Sequence, residues 1–226
     1  MSDGVFLWIH MQQKNITIPK TARYFILNEP TEQIEQVWFV CHGYAQLANY
    51  FIKNFDELDP AKHLIVAPEG LHRFYWKGFS ERVVASWMTK EDRENDISDY
   101  VNYLNLVYDE VMSSFKNRKV KVNILGFSQG TATVCRWVAN GNVQADNFIL
   151  WAGAFPPDMN FKQDRSVFDT LKTYVVVGDA DEFINEEEVV KQSDFLKKNK
   201  IDFELIRFKG KHEIDKTVLS NLQKRF

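Results

Sequence analysis

At 226 residues the chain has the length of one domain, and with 45% hydrophobic and 14% aromatic residues it can bury a substantial core, which excludes a disordered chain. Its 28 basic and 31 acidic residues leave a formal net charge of −3, which excludes the electrostatic footprint of a nucleic-acid binder and the basic field of a membrane-seeking surface. The substrate must therefore be argued from a site.

In chain order, residues 5–9 form a short apolar run with no basic residue before it and no small-residue cleavage pattern after it, so it does not read as a signal peptide. No apolar run approaches the roughly 18 residues of a membrane span, and a cytoplasmic protein is expected. Residues 22–27 and 36–41 read as strands, the second ending at His42-Gly43; joined too closely for a crossover, the two are expected to be antiparallel. Residues 64–67 form a short buried strand closed by Pro68 and Gly70. Between Pro68 and Trp87 the chain carries Phe74, Tyr75, Trp76, Phe79 and Trp87, either the wall of an acyl or leaving-group pocket or packing beneath a long loop. Arg73, Lys77 and Arg82 in the same stretch read as solvated surface charge.

From Lys90 to Lys116 a helix places Ile97, Val101, Leu104, Tyr108, Val111 and Phe115 on one face, with Thr89 as its cap. Residues 120–125 form a strand running into Gly126, and 129–140 form a helix. Strands at 148–151, 174–177 and 203–208 follow, with a helix from Asn185 to 197–199 before the last strand and another over 216–224. Strands alternating with helices predict an α/β fold with a mostly parallel central sheet and helices on both faces. In such sheets ligands bind beyond the carboxyl ends of the strands. Cys41 and Cys135 lie far apart in apolar stretches and are expected as buried free thiols.

The strongest signal is Gly126-Phe127-Ser128-Gln129-Gly130, set between a strand and a helix. A serine on so sharp a turn lifts its oxygen above the sheet and puts the Gln129 N–H at a helix N-terminus, where it can stabilise an oxyanion. A serine nucleophile needs a base, and the base needs an orienting group. Of the five histidines only His212 follows Ser128, on the loop before the last helix. The acid is sought in Gly178-Asp179-Ala180-Asp181-Glu182; Asp181, further into the loop, is favoured over Asp179, with Glu182 third. The Tyr44 N–H, after the strand that ends at His42-Gly43, would complete the oxyanion hole, and His42 itself is read as a structural residue beneath the loop. Trp76 and Trp87 are the candidate substrate-binding residues. No cluster of His, Cys, Asp or Glu has metal-ligand spacing, so neither a metal nor a cofactor is expected.

Taken together, Gly126 to Gly130, the Gly178 to Asp181 turn, Gly210 to His212, His42-Gly43 and the Ser86-Trp87 pair resemble the phospholipase/carboxylesterase group of α/β-hydrolases, which contains the acyl-protein thioesterases. The likeness runs from about Gln36 to the C-terminus. It implies an α/β-hydrolase fold over residues 1–226 without a large cap domain. It also implies Ser128, Asp181 and His212 as a triad acting on a small-molecule or acylated ester substrate. The chain departs from the group in two places: Thr131 follows the nucleophile motif, and the loop after Gly43 reads Tyr44-Ala45-Gln46-Leu47-Ala48.

Overall fold

The computed structural model describes residues 11–159 and 167–226; the apolar run at 5–9 and His10 lie outside them. The strands among these residues are β1 (Tyr24–Leu27), β2 (Gln36–Cys41), β3 (His63–Pro68), β4 (His72–Tyr75), β5 (Val83–Ser86), β6 (Lys121–Phe127), β7 (Asn147–Trp151), β8 (Lys172–Gly178) and β9 (Phe203–Phe208). The principal helices are α1 (Ala48–Phe51), α2 (Arg93–Met112), α3 (Gln129–Asn140), α4 (Glu186–Lys198) and α5 (Lys216–Gln223).

Seven strands make one sheet in the order β1-β3-β2-β6-β7-β8-β9, parallel throughout except for β1. The expected mostly parallel sheet is therefore observed. β1 runs against β2 as expected, but the two are not neighbours: β3 lies between them and pairs with β1 through Tyr24↔Pro68 to Leu27↔Ile65. A parallel sheet covered on both faces needs strands that are apolar on both sides. Val37, Phe39 and Cys41 of β2 accordingly join the cluster containing Leu104 of α2 and Trp137 of α3. Trp38 and Val40 join the opposite cluster with Phe51 of α1 and Leu219 and Leu222 of α5. Each large apolar side chain buried this way contributes about 1.5–3 kcal/mol.

Two expectations are corrected. The stretch from Pro68 to Trp87 is not one long loop, because β4 and β5 pair within it as an antiparallel hairpin, from His72↔Ser86 to Tyr75↔Val83. Nor does Thr89 cap α2. Its hydroxyl accepts from the Glu91 N–H at 3.2 Å, a local turn that competes with capping, and the helix starts at Arg93 behind Asp92 with φ 50°. α4 is capped as its sequence suggests, the Asn185 side chain accepting from the Glu188 N–H at 3.0 Å. Both cysteines are buried free thiols.

A buried polar row crosses the amino ends of three parallel strands. Asn147 Nδ2 donates to Asn123 Oδ1 at 2.7 Å, and Asn123 Nδ2 to Gln36 Oε1 at 2.9 Å, which also accepts from Trp38 Nε1 at 3.1 Å. At the sheet's free edge, β9 carries its charges in pairs: Arg207 with Asp179 and Glu186, and Glu204 with Arg225.

His42, directly after β2, ties that strand to its surroundings. Its Nε2 accepts from the Gly70 N–H at 3.0 Å, which leaves the proton on Nδ1 to donate to the Gly43 carbonyl at 2.7 Å. The ring is fully buried and lies against Trp87, whose indole N–H donates to the His42 carbonyl at 2.8 Å. Burial lowers its pKa to about 4, outweighing the Gly43 hydrogen bond and the Glu69 charge, which both favour the protonated ring.

Two stability measurements follow. In Asn123→Ala the Asn147 amide loses its acceptor inside the sheet, and urea unfolding should show a loss of about 2 kcal/mol with an unchanged m-value. For His42, the unfolded chain takes up a proton near pH 6.5 while the folded ring resists to about 4. Its contribution is whole above 6.5 and is lost as pH falls toward 4, by about 3 kcal/mol in all. Urea midpoints should fall across that window, and the fall should be shallower in His42→Gln.

Candidate active site

β6 ends at Phe127 and α3 begins at Gln129, so Ser128 alone carries the reversal, at φ 54° and ψ −118°. Such a backbone costs a residue with a side chain about 1–3 kcal/mol and persists only where the surroundings fix it. Here the Ser128 N–H donates to the Trp151 carbonyl at 2.9 Å, and the Ser128 carbonyl accepts from the Thr131 N–H at 3.0 Å. The flanking glycines make the turn possible: a Cβ on Gly130 would lie 2.2 Å from the Cys41 carbonyl, and one on Gly126 2.4 Å from the Gly130 carbonyl. Thr131 is wholly buried with its hydroxyl toward the Gly126 carbonyl, so its side chain turns into the protein.

The loops after β8 and β9 meet because those strands are parallel neighbours and Gly178 has no side chain. A Cβ there would lie 2.5 Å from the carbonyls of both Gly210 and Lys211. The approach is sealed by the Asp179 N–H donating to the Phe208 carbonyl at 2.8 Å and the Ala180 N–H to Gly210 at 2.9 Å. Across this seam His212 Nδ1 lies 2.8 Å from Asp181 Oδ2. The Asp181 side chain has no exposed surface, and its Oδ1 also accepts from the Phe183 and Ile184 N–H groups at 2.8 and 3.0 Å. An ionised carboxylate only accepts, so Nδ1 carries the proton and Nε2 of the neutral ring keeps a free lone pair. The imidazole meets Phe183 edge-on and Phe127 at a tilt, with centroids at 4.7 and 4.9 Å, and so rests on the residue immediately before Ser128. Trp151 braces this loop from below, its indole N–H donating to the Glu213 carbonyl at 2.8 Å. Asp179 points elsewhere: it is half-exposed and pairs with Arg207 at 2.9 Å. His63 bonds the Asp59 carbonyl and Gln223, and His72 pairs with Asp96 at 3.0 Å; neither joins this group.

The loop after His42 also reaches Ser128: a Cβ on Gly43 would lie 3.1 Å from the Ser128 Cβ and from the Phe127 ring. The Gly43 carbonyl points to the buried His42 ring, and because a trans peptide is planar the Tyr44 N–H points the opposite way. Neither the Tyr44 N–H nor the Gln129 N–H has an acceptor among the described residues, the latter because the first amides of a helix have no intrahelical partner. Both segments are bound to the inner strand of the hairpin. The Ala45 N–H donates to the Ala85 carbonyl and the Ala85 N–H to the Gln46 carbonyl, each at 3.0 Å. The Gln129 side chain accepts from the Trp87 N–H at 3.2 Å and donates to the Met88 carbonyl and the Ser86 hydroxyl, both at 3.1 Å. Glu69, buried after β3, accepts from the Ala48 N–H at 3.3 Å and from Arg23 at 2.7 Å.

Of the two aromatic candidates, Trp76 is part-exposed and faces Tyr44, with ring centroids 6.1 Å apart. Trp87 has no exposed surface; it packs on His42 and Tyr100 and supports the loop from beneath. Gln46, Glu69 and Trp151 were missed by sequence reasoning, since a lone polar residue in a loop or a Trp ending an apolar strand carries no motif. An open groove of about 610 Å³ continues outward from Gln46, lined by Leu47, Tyr50, Phe51, Arg82 and Val84. A recess of about 630 Å³ beside Ile34, Lys62 and Lys121 lies at the amino ends of the strands, the opposite end from Ser128. Among the described residues no three His, Cys, Asp or Glu side chains are grouped to hold a metal, and no helix is long and apolar enough to cross a membrane.

The fold is shared with several solved structures. Maize acyl-protein thioesterase 2 matches with a TM-score of 0.68 at 15% identity, over 91% of this chain and 97% of that one. A phospholipase/carboxylesterase from Dyadobacter fermentans matches with a TM-score of 0.65 at 14% identity, over 94% and 100%. Esterase PE8 matches with a TM-score of 0.64 at 16% identity, over 92% and 100%. No curated protein matches by sequence. The phospholipase/carboxylesterase family profile, however, matches residues 24–226, nearly the whole chain. The protein thus belongs to the phospholipase/carboxylesterase family of α/β-hydrolases.

Proposed function

We propose that the protein is a cytoplasmic serine hydrolase that cleaves carboxylic esters or thioesters through an acyl-enzyme on Ser128. The observation that carries this reading is the His212–Asp181 pair, held at 2.8 Å and seated on the ring of Phe127, next to a serine forced into an elbow. Family membership supports the hydrolase class, and two buried free thiols suit a reducing compartment.

In this mechanism His212 Nε2 takes the proton from Ser128 Oγ as the oxygen attacks the acyl carbonyl. Asp181 holds Nδ1–H, fixes the ring's orientation and stabilises the imidazolium that forms. The developing oxyanion accepts from the Tyr44 and Gln129 N–H groups, each such donor contributing a few kcal/mol, about 3, to the transition state. Collapse expels an alkoxide or thiolate, which His212 protonates. Water then attacks the acyl-enzyme with His212 again as base. The groove beyond Gln46, whose Arg82 lies over the Trp76 ring, would take the acyl or leaving-group portion of the substrate. All of these groups come from the chain, so EDTA should leave the activity unchanged.

Labelling with a fluorophosphonate probe and hydrolysis of p-nitrophenyl esters test the proposal together. Ser128→Ala should abolish both while the circular dichroism spectrum is retained; a variant keeping more than about a tenth of the wild-type kcat/KM would remove Ser128 from the mechanism. Asp181→Asn should lower kcat by about 10⁴-fold by leaving His212 in the wrong tautomer. Asp179→Asn, which loses only a surface ion pair with Arg207, should stay within about threefold of wild type. The reverse ranking would make Asp179 the acid.

A further inference from the structure

We propose that Gln46 is a positioning residue for the oxyanion hole: its side chain fixes the Gly43–Tyr44 peptide so that the Tyr44 N–H meets the reacting oxygen. The inference rests on the reading of the Tyr44 N–H given above.

The loop needs a clamp. Ala45 sits at φ 59°, in the left-handed region that a residue with a Cβ avoids, so the segment does not hold its shape by backbone preference. Three hydrogen bonds close it. Two are main-chain bonds to Ala85, at 3.0 Å each, which any sequence with this backbone would form. The third depends on a side chain: the Gly43 N–H donates to Gln46 Oε1 at 2.8 Å. That bond spans three residues and closes a ring around Tyr44 and Ala45.

Its position is what makes it functional. Gly43 is held at both ends, its carbonyl by the His42 Nδ1–H at 2.7 Å and its amide by Gln46 at 2.8 Å. With no Cβ to restrict it, Gly43 freed at its amide would sample other backbone conformations and turn the following peptide with it. The Tyr44 N–H belongs to that peptide. The same carboxamide lies close to the chemistry: the position of a Gly43 Cβ is 3.2 Å from Gln46 Oε1 and 3.1 Å from the Ser128 Cβ. Gln46 Oε1 and the Ser128 Cβ therefore both lie against the side of Gly43 from which a side chain would project. A residue of the same length without an oxygen acceptor would fill the space but leave the amide unpaired.

That contrast is the test. Gln46→Met keeps length and bulk and removes the acceptor; Gln46→Ala removes both. Kinetics on a p-nitrophenyl ester, inhibition by a trifluoromethyl ketone that forms a hemiketal with the nucleophile, and thermal midpoints are measured for wild type and both variants. Both should lower kcat about 100-fold with KM within about threefold, as misalignment of a transition-state donor requires. Affinity for the trifluoromethyl ketone should fall in proportion to kcat/KM, a correlation that a purely structural lesion would not produce. A Gln46→Met variant within threefold of wild-type kcat, or one that changes KM alone, overturns the inference and leaves the hydrolase reading standing. Absence of esterase activity in the folded wild-type protein overturns the hydrolase reading itself, and the positioning role with it.

Discussion

The close contact between Gly130 and the Cys41 carbonyl, where a Cβ would lie 2.2 Å from the oxygen, lets the first turn of α3 settle on the end of β2. Much of the candidate site follows from that approach. It brings Ser128 beside Gly43, sets the Gln129 amide at an unpartnered helix start, and leaves the single residue Ser128, with its strained backbone, to link β6 to α3. The strain is offset from outside the turn, by Trp151 beneath it and by the glycines that permit the packing. Parallel strands do the rest, since β8 and β9 deliver the Asp181 and His212 loops to the same end of the sheet, and Gly178 lets them touch.

The hairpin of β4 and β5 gives the site a second organising element. Its inner strand receives the Tyr44 loop through two main-chain bonds to Ala85 and the start of α3 through the Gln129 side chain on Ser86, Trp87 and Met88. The Tyr44 loop and the Gln129 side chain are thus bonded to neighbouring stretches of one segment, at the end of β5 and just beyond it.

Much of this was legible in the sequence because the signals were local. The strand–turn–helix context of residues 126–130 states the elbow outright, and the alternation of apolar runs with helices states the sheet. His212 stood out because no other histidine follows Ser128. The hairpin was hidden for the opposite reason: β4 and β5 are four residues each, separated by a loop too long for a tight-turn signature, and their aromatic content reads as well for packing as for pairing. The position of β3 between β1 and β2 was hidden because consecutive strands usually lie side by side, and here they do not. Trp87 read as a candidate binding residue from its composition alone, and only three-dimensional packing puts its ring under His42. Gln46 could not be distinguished at all, since its role depends on an amide three residues away and on the left-handed turn at Ala45.

The two edges of the sheet are finished differently, with a consequence for assembly. β1 is only four residues long, while β9 keeps Arg207 and Glu204 occupied by Asp179, Glu186 and Arg225. A passing strand would have to displace charge pairs at one border and would find few rungs at the other. The sheet is in this sense closed to growth, which protects a parallel architecture whose edges are exposed while its long-range pairings form. Among the described residues, addition of a strand from a second copy is thus disfavoured at both borders of the sheet.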